Sequence, residues 1–397
     1  MSNKRIFGNE HKYIKEVLKN EFRSSKNSFM VSKLEDKFCK IFNSQYAISF
    51  VNGTATMHAC LEAMNIGAGD EVIVPPLTMS ATALAVLHCN ATPIFSDVDI
   101  NTFQISNESI KKKITKKTKA IITVSLYGLS PEMDEIKKTA KINNLFIIED
   151  NAECFLGYYK NKIVGNLGDC ASFSFQSSKH ITCGEGGIVI TNNKKLAKKI
   201  RSIQSLGYLL NQNKNQIKKY NLMNPNYSRH YYLGWNYRMS DLCAAVALGQ
   251  LENIKYFVEL RKKSAFLYNN AAKDFSWFIK QNIPKHCIHS YWTWAGYIKD
   301  KKIKWINFKN KFIEFGGSAL YAAWKLSYNE PVFKKLNFNK RDKMMTNNSI
   351  NKNVNKDFCA NSEYLQPRLF QFKTNFYNNN EAKKEAIALR KTLQFFN

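Results

Sequence analysis

Short, continuously apolar segments alternate with helical segments over the first half of the chain. The pattern predicts strands at 46–50, 71–75, 93–96, 120–125 and 146–149. Apolar runs that do not alternate with polar residues are typical of strands covered on both faces. Because right-handed crossovers join such strands in parallel, we predict an α/β fold with a mixed, mostly parallel sheet between helices.

The length of the chain predicts a second structural unit. At 397 residues the chain exceeds what a single hydrophobic core usually serves. A long helix over 240–270, with apolar residues at helical spacing, is the expected connection. We therefore predict a large domain at 1–255, which includes an N-terminal helical segment, and a smaller α+β domain at 256–397.

The formal net charge of +28 is compatible with nucleic acid, an anionic membrane or anionic small substrates as partners. The lysines are dispersed and often mixed with asparagine, and no helix-turn-helix, zinc-ligand spacing or RNA-binding motif accompanies them. We interpret the charge as a generally basic surface that attracts phosphorylated substrates, and we predict no nucleic-acid partner. The stretches at 211–230 and 337–356 are expected to be surface loops.

The cysteines and the apolar runs indicate the compartment. Nine cysteines, an odd number, are scattered without a C-x-x-C pair, which argues against a zinc site and a disulfide framework. No apolar run is long enough to span a bilayer, and the N-terminal residues contain no apolar signal-peptide core. We predict a cytoplasmic protein with no metal and no membrane partner.

One lysine, Lys179, lies between a predicted strand at 171–175 and a glycine-rich turn at 184–187. A lysine acts as a Schiff-base nucleophile where its surroundings favour the neutral amine. Asp150 ends the apolar strand at 146–149, and the carboxyl ends of parallel strands are where ligands bind. A helix cap is the alternative role for Asp150, and a solvated side chain is the alternative for Lys179.

The segment Gly53, Thr54 and Ala55 lies between a predicted strand and a helix. Backbone N–H groups at a helix N-terminus, aided by a hydroxyl, form a phosphate site, and Ser174 adds a second hydroxyl shortly before Lys179. The segment lacks the Walker spacing, so a structural cap is the alternative. Pyridoxal phosphate (PLP) needs a lysine, an acid for its pyridine nitrogen and phosphate donors, and the chain carries candidates for all three.

From about residue 7 to 252 the chain resembles the DegT/DnrJ/EryC1/StrS group of PLP-dependent sugar aminotransferases, which have fold type I. The resemblance rests on a series of motifs in register: Asn-Gly-Thr-Ala at 52–55, Gly-Asp-Glu-Val-Ile-Val-Pro at 69–75, Leu-Tyr-Gly at 126–128, Glu-Asp at 149–150, Gly-Asn-Leu-Gly-Asp at 165–169, Ser-Phe-Ser at 172–174, Lys179, Gly-Glu-Gly-Gly at 184–187, Asn-Tyr-Arg-Met-Ser at 236–240 and Gln-Leu-Glu at 250–252.

The resemblance implies a role for each matching residue. Lys179 would hold the cofactor as a Schiff base and then move a proton between the substrate carbon and the cofactor. Asp150 would pair with the pyridine nitrogen. Thr54, the Ala55 backbone and Ser174 would bind the phosphate. Asn236 would reach the same phosphate from a neighbouring subunit, which makes a homodimer with shared active sites the implied assembly.

The chain departs from the family pattern at three positions. Met79 stands where an aromatic ring usually covers the cofactor, and Glu153 stands where glutamine usually lies near the cofactor's O3′. Ser125 replaces a common histidine. None of these changes removes the lysine or its acid partner. They affect the expected substrate and the tuning of the site rather than the reaction class.

The implied reaction moves an amino group from L-glutamate to a keto sugar, most simply a nucleotide-linked keto-deoxysugar, in amino-sugar biosynthesis for a surface polysaccharide or glycoside. A PLP-dependent sugar dehydratase and an aminotransferase for a cyclitol or other small ketone remain alternatives within the family. Dehydratases of the family carry histidine at the position of Lys179, and the spacing to 184–187 favours Lys179 over the adjacent His180. A non-catalytic protein is a further alternative, against which the joint presence of Lys179 and Asp150 argues.

Overall fold

The computed structural model describes residues 5–20, 29–208, 224–299, 303–318, 320–335 and 359–397. The predicted loop at 337–356 lies outside these residues, as does most of the predicted loop at 211–230.

The described residues form fourteen strands and thirteen α-helices. The strands are β1 Tyr46–Phe50, β2 Glu71–Val74, β3 Thr92–Phe95, β4 Thr118–Val124, β5 Phe146–Asp150, β6 Tyr158–Tyr159, β7 Lys162–Ile163, β8 Cys170–Ser174, β9 Gly187–Thr191, β10 Phe278–Lys280, β11 Cys287–Ile288, β12 Thr293–Ile298, β13 Leu320–Ala322 and β14 Leu369–Lys373. The helices are α1 Glu10–Lys19, α2 Phe29–Phe42, α3 Gly53–Ala63, α4 Ala81–His88, α5 Asn107–Lys113, α6 Met133–Ile142, α7 Lys194–Gln204, α8 Asp241–Glu252, α9 Ile254–Ala272, α10 Trp305–Glu314, α11 Pro331–Lys335, α12 Ala360–Leu365 and α13 Asn379–Phe395.

Seven strands form the main sheet in the order β1-β9-β8-β5-β4-β2-β3. The pairs β2–β3, β2–β4, β4–β5 and β5–β8 are parallel, whereas β9 runs antiparallel to both β8 and β1. The predicted mixed, mostly parallel sheet is therefore confirmed. The carboxyl ends of the parallel strands lie along the same edge of the sheet, so the residues that follow β4, β5 and β8 are neighbours there.

Both faces of the main sheet are covered, as the continuous apolar runs predicted. In β2, Val72 and Val74 belong to a core that includes residues of α3, α4 and α7. Ile73, between them, belongs to a second core on the other face, together with residues of α6. Alternate residues of a strand point to opposite faces, so successive apolar residues within one strand contribute to both cores.

The predicted single helix over 240–270 is wrong in one respect, because two helices, α8 and α9, occupy this stretch. They are separated at Asn253, whose φ and ψ of -105° and 10° leave the helical region. The Asn253 side chain donates back to the Gly249 carbonyl oxygen at 3.1 Å. Asparagine competes with the backbone in this way, and the apolar spacing alone does not reveal the break.

The C-terminal part of the chain has its own sheet, with the strand order β10-β12-β14-β13 and antiparallel pairing throughout. Helices α9, α10 and α13 pack against this sheet in a core rich in phenylalanine. The predicted boundary after residue 255 falls in the first turn of α9, and the division into two domains stays a prediction. None of the helices in the described ranges has the length and apolar character needed to cross a membrane.

The buried His289 makes the stability of the fold sensitive to acid. Its Nδ1 accepts the Tyr291 N–H at 2.8 Å, so the proton of the neutral ring lies on Nε2, 3.0 Å from the Gln281 side-chain oxygen. Burial lowers the pKa of His289 from its ordinary 6.5 to about 3. Below pH 6.5 this histidine binds a proton in the unfolded chain but stays neutral in the folded chain. The free energy of unfolding therefore falls as the pH falls.

We expect a His289→Gln variant to lose less stability in acid than the wild type. Between pH 7 and pH 5 the wild type should lose about 2 kcal/mol more of its free energy of unfolding than the variant. Urea unfolding curves at the two pH values measure this difference. Parallel losses in the two proteins would contradict a neutral, buried His289.

Candidate active site

The carboxylate of Asp150 lies at the carboxyl edge of the main sheet, at the end of β5. It is buried, with 5% of the residue exposed. Oδ2 accepts the Thr82 hydroxyl at 2.8 Å, and Oδ1 accepts the Ala152 N–H at 3.2 Å. Because Thr82 belongs to α4, the carboxylate is held from two elements and keeps one orientation.

Burial raises the pKa of the Asp150 carboxyl above its ordinary value. The hydrogen bonds from Thr82 and Ala152 and the positive charge of Lys179 act in the opposite direction and lower that pKa. A buried carboxylate that lacks a full countercharge gains most from a cationic partner. A protonated pyridine nitrogen is such a partner, so Asp150 suits the role that the sequence predicted for it.

The amine of Lys179 lies beside a second buried carboxylate. Lys179 Nζ is 3.4 Å from Glu153 Oε1, and the two side chains are only 12% and 5% exposed. The same Nζ lies 4.5 Å from the centre of the Trp292 ring. Lys179 is therefore not a solvated surface lysine, and the alternative considered from the sequence is excluded by its surroundings.

Glu153 is held by the backbone as well as by the lysine. Its Oε2 accepts the Tyr127 N–H at 2.9 Å, and Tyr127 adopts a positive φ of 65° in the turn after β4. Burial raises the pKa of Glu153, and the Lys179 charge is the largest influence that lowers it. Asp150 raises the pKa of Glu153 further through like charge. Two acids and one lysine thus share a single buried electrostatic network.

The backbone around Lys179 is fixed by side chains that the sequence did not identify. The buried Arg261 donates to the Ser178 and Lys179 carbonyl oxygens at 3.4 and 3.3 Å and to the Trp292 carbonyl oxygen at 2.7 Å. Trp292 Nε1 also donates to Ser178 O at 3.0 Å. Arg5 donates to the Ser177 and Lys179 carbonyl oxygens. These contacts hold the lysine segment against α9 and β12.

Replacing Arg261 by methionine should destabilise the protein by about 3 kcal/mol, because the Ser178, Lys179 and Trp292 carbonyl oxygens each lose one of their hydrogen-bond donors. Burial already lowers the pKa of Arg261 to about 9, which reflects how completely this cation is removed from water. Urea unfolding measures the loss. The exposed Lys263 on the same helix provides a matched control, and Lys263→Met should change stability by less than about 0.5 kcal/mol. Equal midpoints for both variants would contradict the assigned role of Arg261.

The predicted phosphate-binding residues meet where α3 begins. The Ala55 N–H donates to the capping Asn52 side chain at 2.8 Å. Gly53 approaches Ser174 so closely that a Cβ on Gly53 would lie 2.9 Å from Ser174 Cβ. Ser174 ends β8, five residues before the lysine. The glycine, the N-terminus of α3 and the Ser174 hydroxyl therefore lie close together. The Ala55 N–H, however, already donates to the Asn52 side chain.

The remaining predicted residues surround this arrangement. Met79 is 51% exposed just before α4, and its sulfur accepts the Ala81 N–H at 3.1 Å. Asn236 is exposed and bridges to Ser205 through its backbone. Their predicted contacts with the cofactor ring and with a neighbouring subunit's phosphate stay predictions.

His180, next to the lysine in sequence, is buried and contacts Ser290 and Phe155. Its Nε2 lies 3.0 Å from the Ser290 carbonyl oxygen, and its ring packs at 5.4 Å from the Phe155 ring. Burial, together with the charge of Arg261, lowers the pKa of His180 well below its ordinary value. A neutral histidine packed in this way suits a structural role for His180, in agreement with the choice of Lys179 over His180 from the spacing.

The residues of this edge fit PLP. A nearly buried amine, a buried carboxylate without a full countercharge and a small-residue cradle at a helix N-terminus match the aldehyde, the pyridine nitrogen and the phosphate. Thr82, Arg261 and Trp292 are the functional neighbours that the sequence did not indicate. Each of these three residues is distant in sequence from the residue that it contacts, so no local sequence pattern predicts the contact.

Comparison with known proteins gives the same family as the motifs. The DegT/DnrJ/EryC1/StrS aminotransferase family matches residues 5–356. Over 287 residues the chain is 40% identical to the GDP-perosamine synthase of Escherichia coli O157:H7, covering 72% of this chain and 74% of that protein.

Solved structures of similar proteins share the whole fold. The aminotransferase from Psychrobacter cryohalolentis has a TM-score of 0.84 at 25% identity, with 98% of this chain and 97% of that chain covered. The E. coli GDP-4-keto-6-deoxy-D-mannose-3-dehydratase, solved with bound hydrated PLP, has a TM-score of 0.80 at 25% identity, with 97% and 96% covered. The family match, the shared fold and the lysine–carboxylate edge of the sheet lead to one conclusion: the chain belongs to the DegT/DnrJ/EryC1/StrS aminotransferase family.

Proposed function

We propose that this aminotransferase, whose cofactor is PLP, transfers the amino group of L-glutamate to the keto carbon of a nucleotide-linked sugar. The observation that carries the proposal is the buried Lys179 amine, which lies 3.4 Å from the Glu153 carboxylate in the site that contains Asp150. PLP supplies an electron sink and carries the amino group between the two substrates. The chain must bind, orient and move protons around it.

Lys179 is the proton carrier in this proposal. Once its amine is free, it accepts a proton from the donor carbon and returns a proton on the other side of the transfer, as a general base and then an acid. The Glu153 carboxylate lies 3.4 Å from the amine and positions it within the site. Asp150 keeps the pyridine nitrogen protonated, which is what its buried, hydrogen-bonded carboxylate favours.

Two further observations support a nucleotide-linked sugar as acceptor. The Trp292 ring beside Lys179 Nζ stacks on Trp324 at 5.9 Å, and Trp324 is 37% exposed, so an aromatic surface lies next to the amine. The net charge of +28 favours a diphosphate-bearing substrate. The relative from E. coli O157:H7 is named GDP-perosamine synthase, which makes a GDP-linked keto sugar the first acceptor to test.

We also propose a homodimer in the cytoplasm. Three consecutive large residues near Asn236, Tyr231, Tyr232 and Leu233, are 55%, 45% and 81% exposed, and such a patch is typical of a subunit interface. The Asn236 side chain is exposed and thus accessible to a second subunit. All nine cysteines are free thiols, as in proteins of a reducing compartment.

The test supplies the purified PLP-loaded protein with GDP-4-keto-6-deoxy-D-mannose and L-glutamate labelled with heavy nitrogen. We expect one 2-oxoglutarate for each sugar nucleotide that gains the heavy nitrogen, measured by mass spectrometry. Amination of other keto sugars under the same conditions would revise only the acceptor. Failure to form 2-oxoglutarate from glutamate, with or without any acceptor, would contradict the proposed donor.

The same experiment distinguishes an aminotransferase from a dehydratase by the product that forms. A product that lacks a ring hydroxyl and carries no heavy nitrogen would contradict the proposed transfer. The geometry supports amination, because the Lys179 amine contacts Glu153 whereas the His180 ring contacts Ser290 and Phe155.

A further inference from the structure

Three side chains with metal-ligating atoms meet on α3 and α4, outside the residues assigned to the cofactor. They are His58, Glu62 and Cys89, whose ligand atoms all lie within 4.8 Å of one another. His58 and Cys89 are 1% and 5% exposed, and the Glu62 side chain is 26% exposed. His58 and Glu62 are four residues apart, so they share one face of α3, and Cys89 caps the C-terminus of α4.

The buried His58 Nε2 is the second observation that points to a ligand. It lies 3.3 Å from Glu62 Oε1 but makes no aligned hydrogen bond to any described residue. Two ligands bound to one tetrahedral zinc ion at about 2.0–2.1 Å would lie about 3.3 Å apart, which matches this separation. The nitrogen and the carboxylate oxygen are therefore spaced as ligands of one ion.

Contacts of the second ring nitrogen and of the ring itself fix the orientation of His58. Nδ1 lies 3.0 Å from the Tyr237 hydroxyl, which is the kind of contact that orients a metal-ligating imidazole through its second nitrogen. The Trp235 ring packs 5.1 Å from the His58 ring. Because the ring cannot turn freely, Nε2 stays directed at Glu62 and Cys89.

We propose that His58 Nε2, Glu62 Oε1 and Cys89 Sγ bind one Zn²⁺ ion, with water in the fourth position. The Cys89 thiol now donates to the His58 carbonyl oxygen at 3.7 Å. On binding, the S–H bond breaks, the proton passes to solvent and the thiolate forms the bond to zinc. One thiolate, one carboxylate and a neutral imidazole balance the charge of the ion, which suits a buried site. Nitrogen, oxygen and sulfur ligands together are typical of zinc.

The ion would join α3, α4 and the segment around Tyr237. The first of these helices begins with Gly53, and the segment contains Asn236. We assign the ion a structural role because its three ligands lie outside the residues assigned to the cofactor, and the site stands independently of the proposed aminotransfer. The sequence argued against zinc because the cysteines lack paired spacing, but these three ligands come from two helices and include a single cysteine.

The test adds Zn²⁺ to the metal-free, PLP-loaded protein and measures stoichiometry against a chromophoric chelator and the zinc neighbours by X-ray absorption. We expect one zinc for each chain, with one sulfur neighbour at about 2.3 Å. Two pairs of neighbouring thiols, Cys183 with Cys243 and Cys60 with Cys170, are the competing sites. Two sulfur neighbours would assign the zinc to one of these pairs and overturn the proposal, as would zinc without sulfur or no tight binding.

Variants locate the ion. Cys89→Ser should remove the sulfur signal, whereas Cys287→Ser, which alters another buried thiol at 8% exposure, should keep it. Tyr237→Phe should weaken zinc binding about 10-fold or more and keep the sulfur neighbour. Should Cys89→Ser fail to fold, Glu62→Gln serves instead, with the sulfur retained and the affinity reduced. An unchanged affinity in Glu62→Gln, or a sulfur neighbour retained in Cys89→Ser, would overturn the site.

Discussion

Lys179→Ala should lower the rate of amino transfer by on the order of 10⁴-fold or more, because it removes both the Schiff-base nitrogen and the proton carrier. The purified variant should bind PLP without the absorption band of the lysine-linked cofactor. Steady-state 2-oxoglutarate formation from L-glutamate measures the loss. A variant that retains a tenth of the wild-type rate would contradict the assigned role.

Two variants at this position distinguish the electrostatic effect of the Lys179 charge from the role of its amine in the reaction. Lys179→Arg keeps a cation beside Glu153, but its guanidinium does not serve as the nucleophile. Because the Lys179 charge lowers the pKa values of Glu153 and Asp150, its loss in Lys179→Ala should raise both. Burial raises both pKa values even beside a cation, so both variants should lose stability as the pH rises above the ordinary carboxyl range, and the alanine variant should lose more than the arginine variant. Both should be inactive, whereas Lys160→Ala, at an exposed surface pair, should remain active.

Asp150→Asn should reduce kcat/KM by about 10²- to 10³-fold, since an amide of nearly the same shape cannot stabilise a protonated pyridine nitrogen. The Thr82 hydroxyl can still bond to the amide oxygen, so the fold should persist. The lysine-linked absorption band should also persist, which distinguishes this variant from Lys179→Ala. Steady-state kinetics with L-glutamate measure the effect.

Thr82→Val gives a graded test of the same carboxylate. The Thr82 hydrogen bond lowers the pKa of Asp150, so its removal should raise that pKa and reduce activity less than Asp150→Asn does. Asp134, an exposed carboxylate paired with Lys160, provides a control in which Asp134→Asn leaves the kinetics unchanged. Equal activity of Asp150→Asn and the wild type would contradict the proposal that the carboxylate stabilises a protonated pyridine nitrogen.

The central sheet could be predicted from the sequence because its signal is local. Successive apolar residues at 72–74 and 147–148 fill cores on both faces of the sheet, and these runs can be read directly from the sequence. The antiparallel direction of β9 is also readable locally, because the apolar segments at 171–175 and 188–191 flank the lysine and the glycine-rich turn as the two strands of a hairpin would. At the break, the Asn253 side chain bonds to the Gly249 carbonyl oxygen, and the spacing of apolar residues cannot reveal such a contact.

The site was predictable where residues follow strand ends and turns. Asp150 and Ser174 end β5 and β8, and Gly53 begins α3, so sequence order alone places them at one edge. The contacts of Arg261 with the Lys179 backbone and of Thr82 with Asp150 bridge distant parts of the chain. The first contact arises when α9 packs beside the lysine and the second when α4 packs on the main sheet, and no local sequence pattern reveals either packing.

Borohydride reduction followed by peptide mapping tests the central claim most directly. Borohydride converts a Schiff base between protein and cofactor into a stable secondary amine on the lysine that forms it. Among the many lysines of this basic chain, the account predicts one phosphopyridoxyl group, on the peptide that contains Lys179, and none in Lys179→Arg. A label on another lysine, or the same labelled peptide map in the arginine variant, would contradict it.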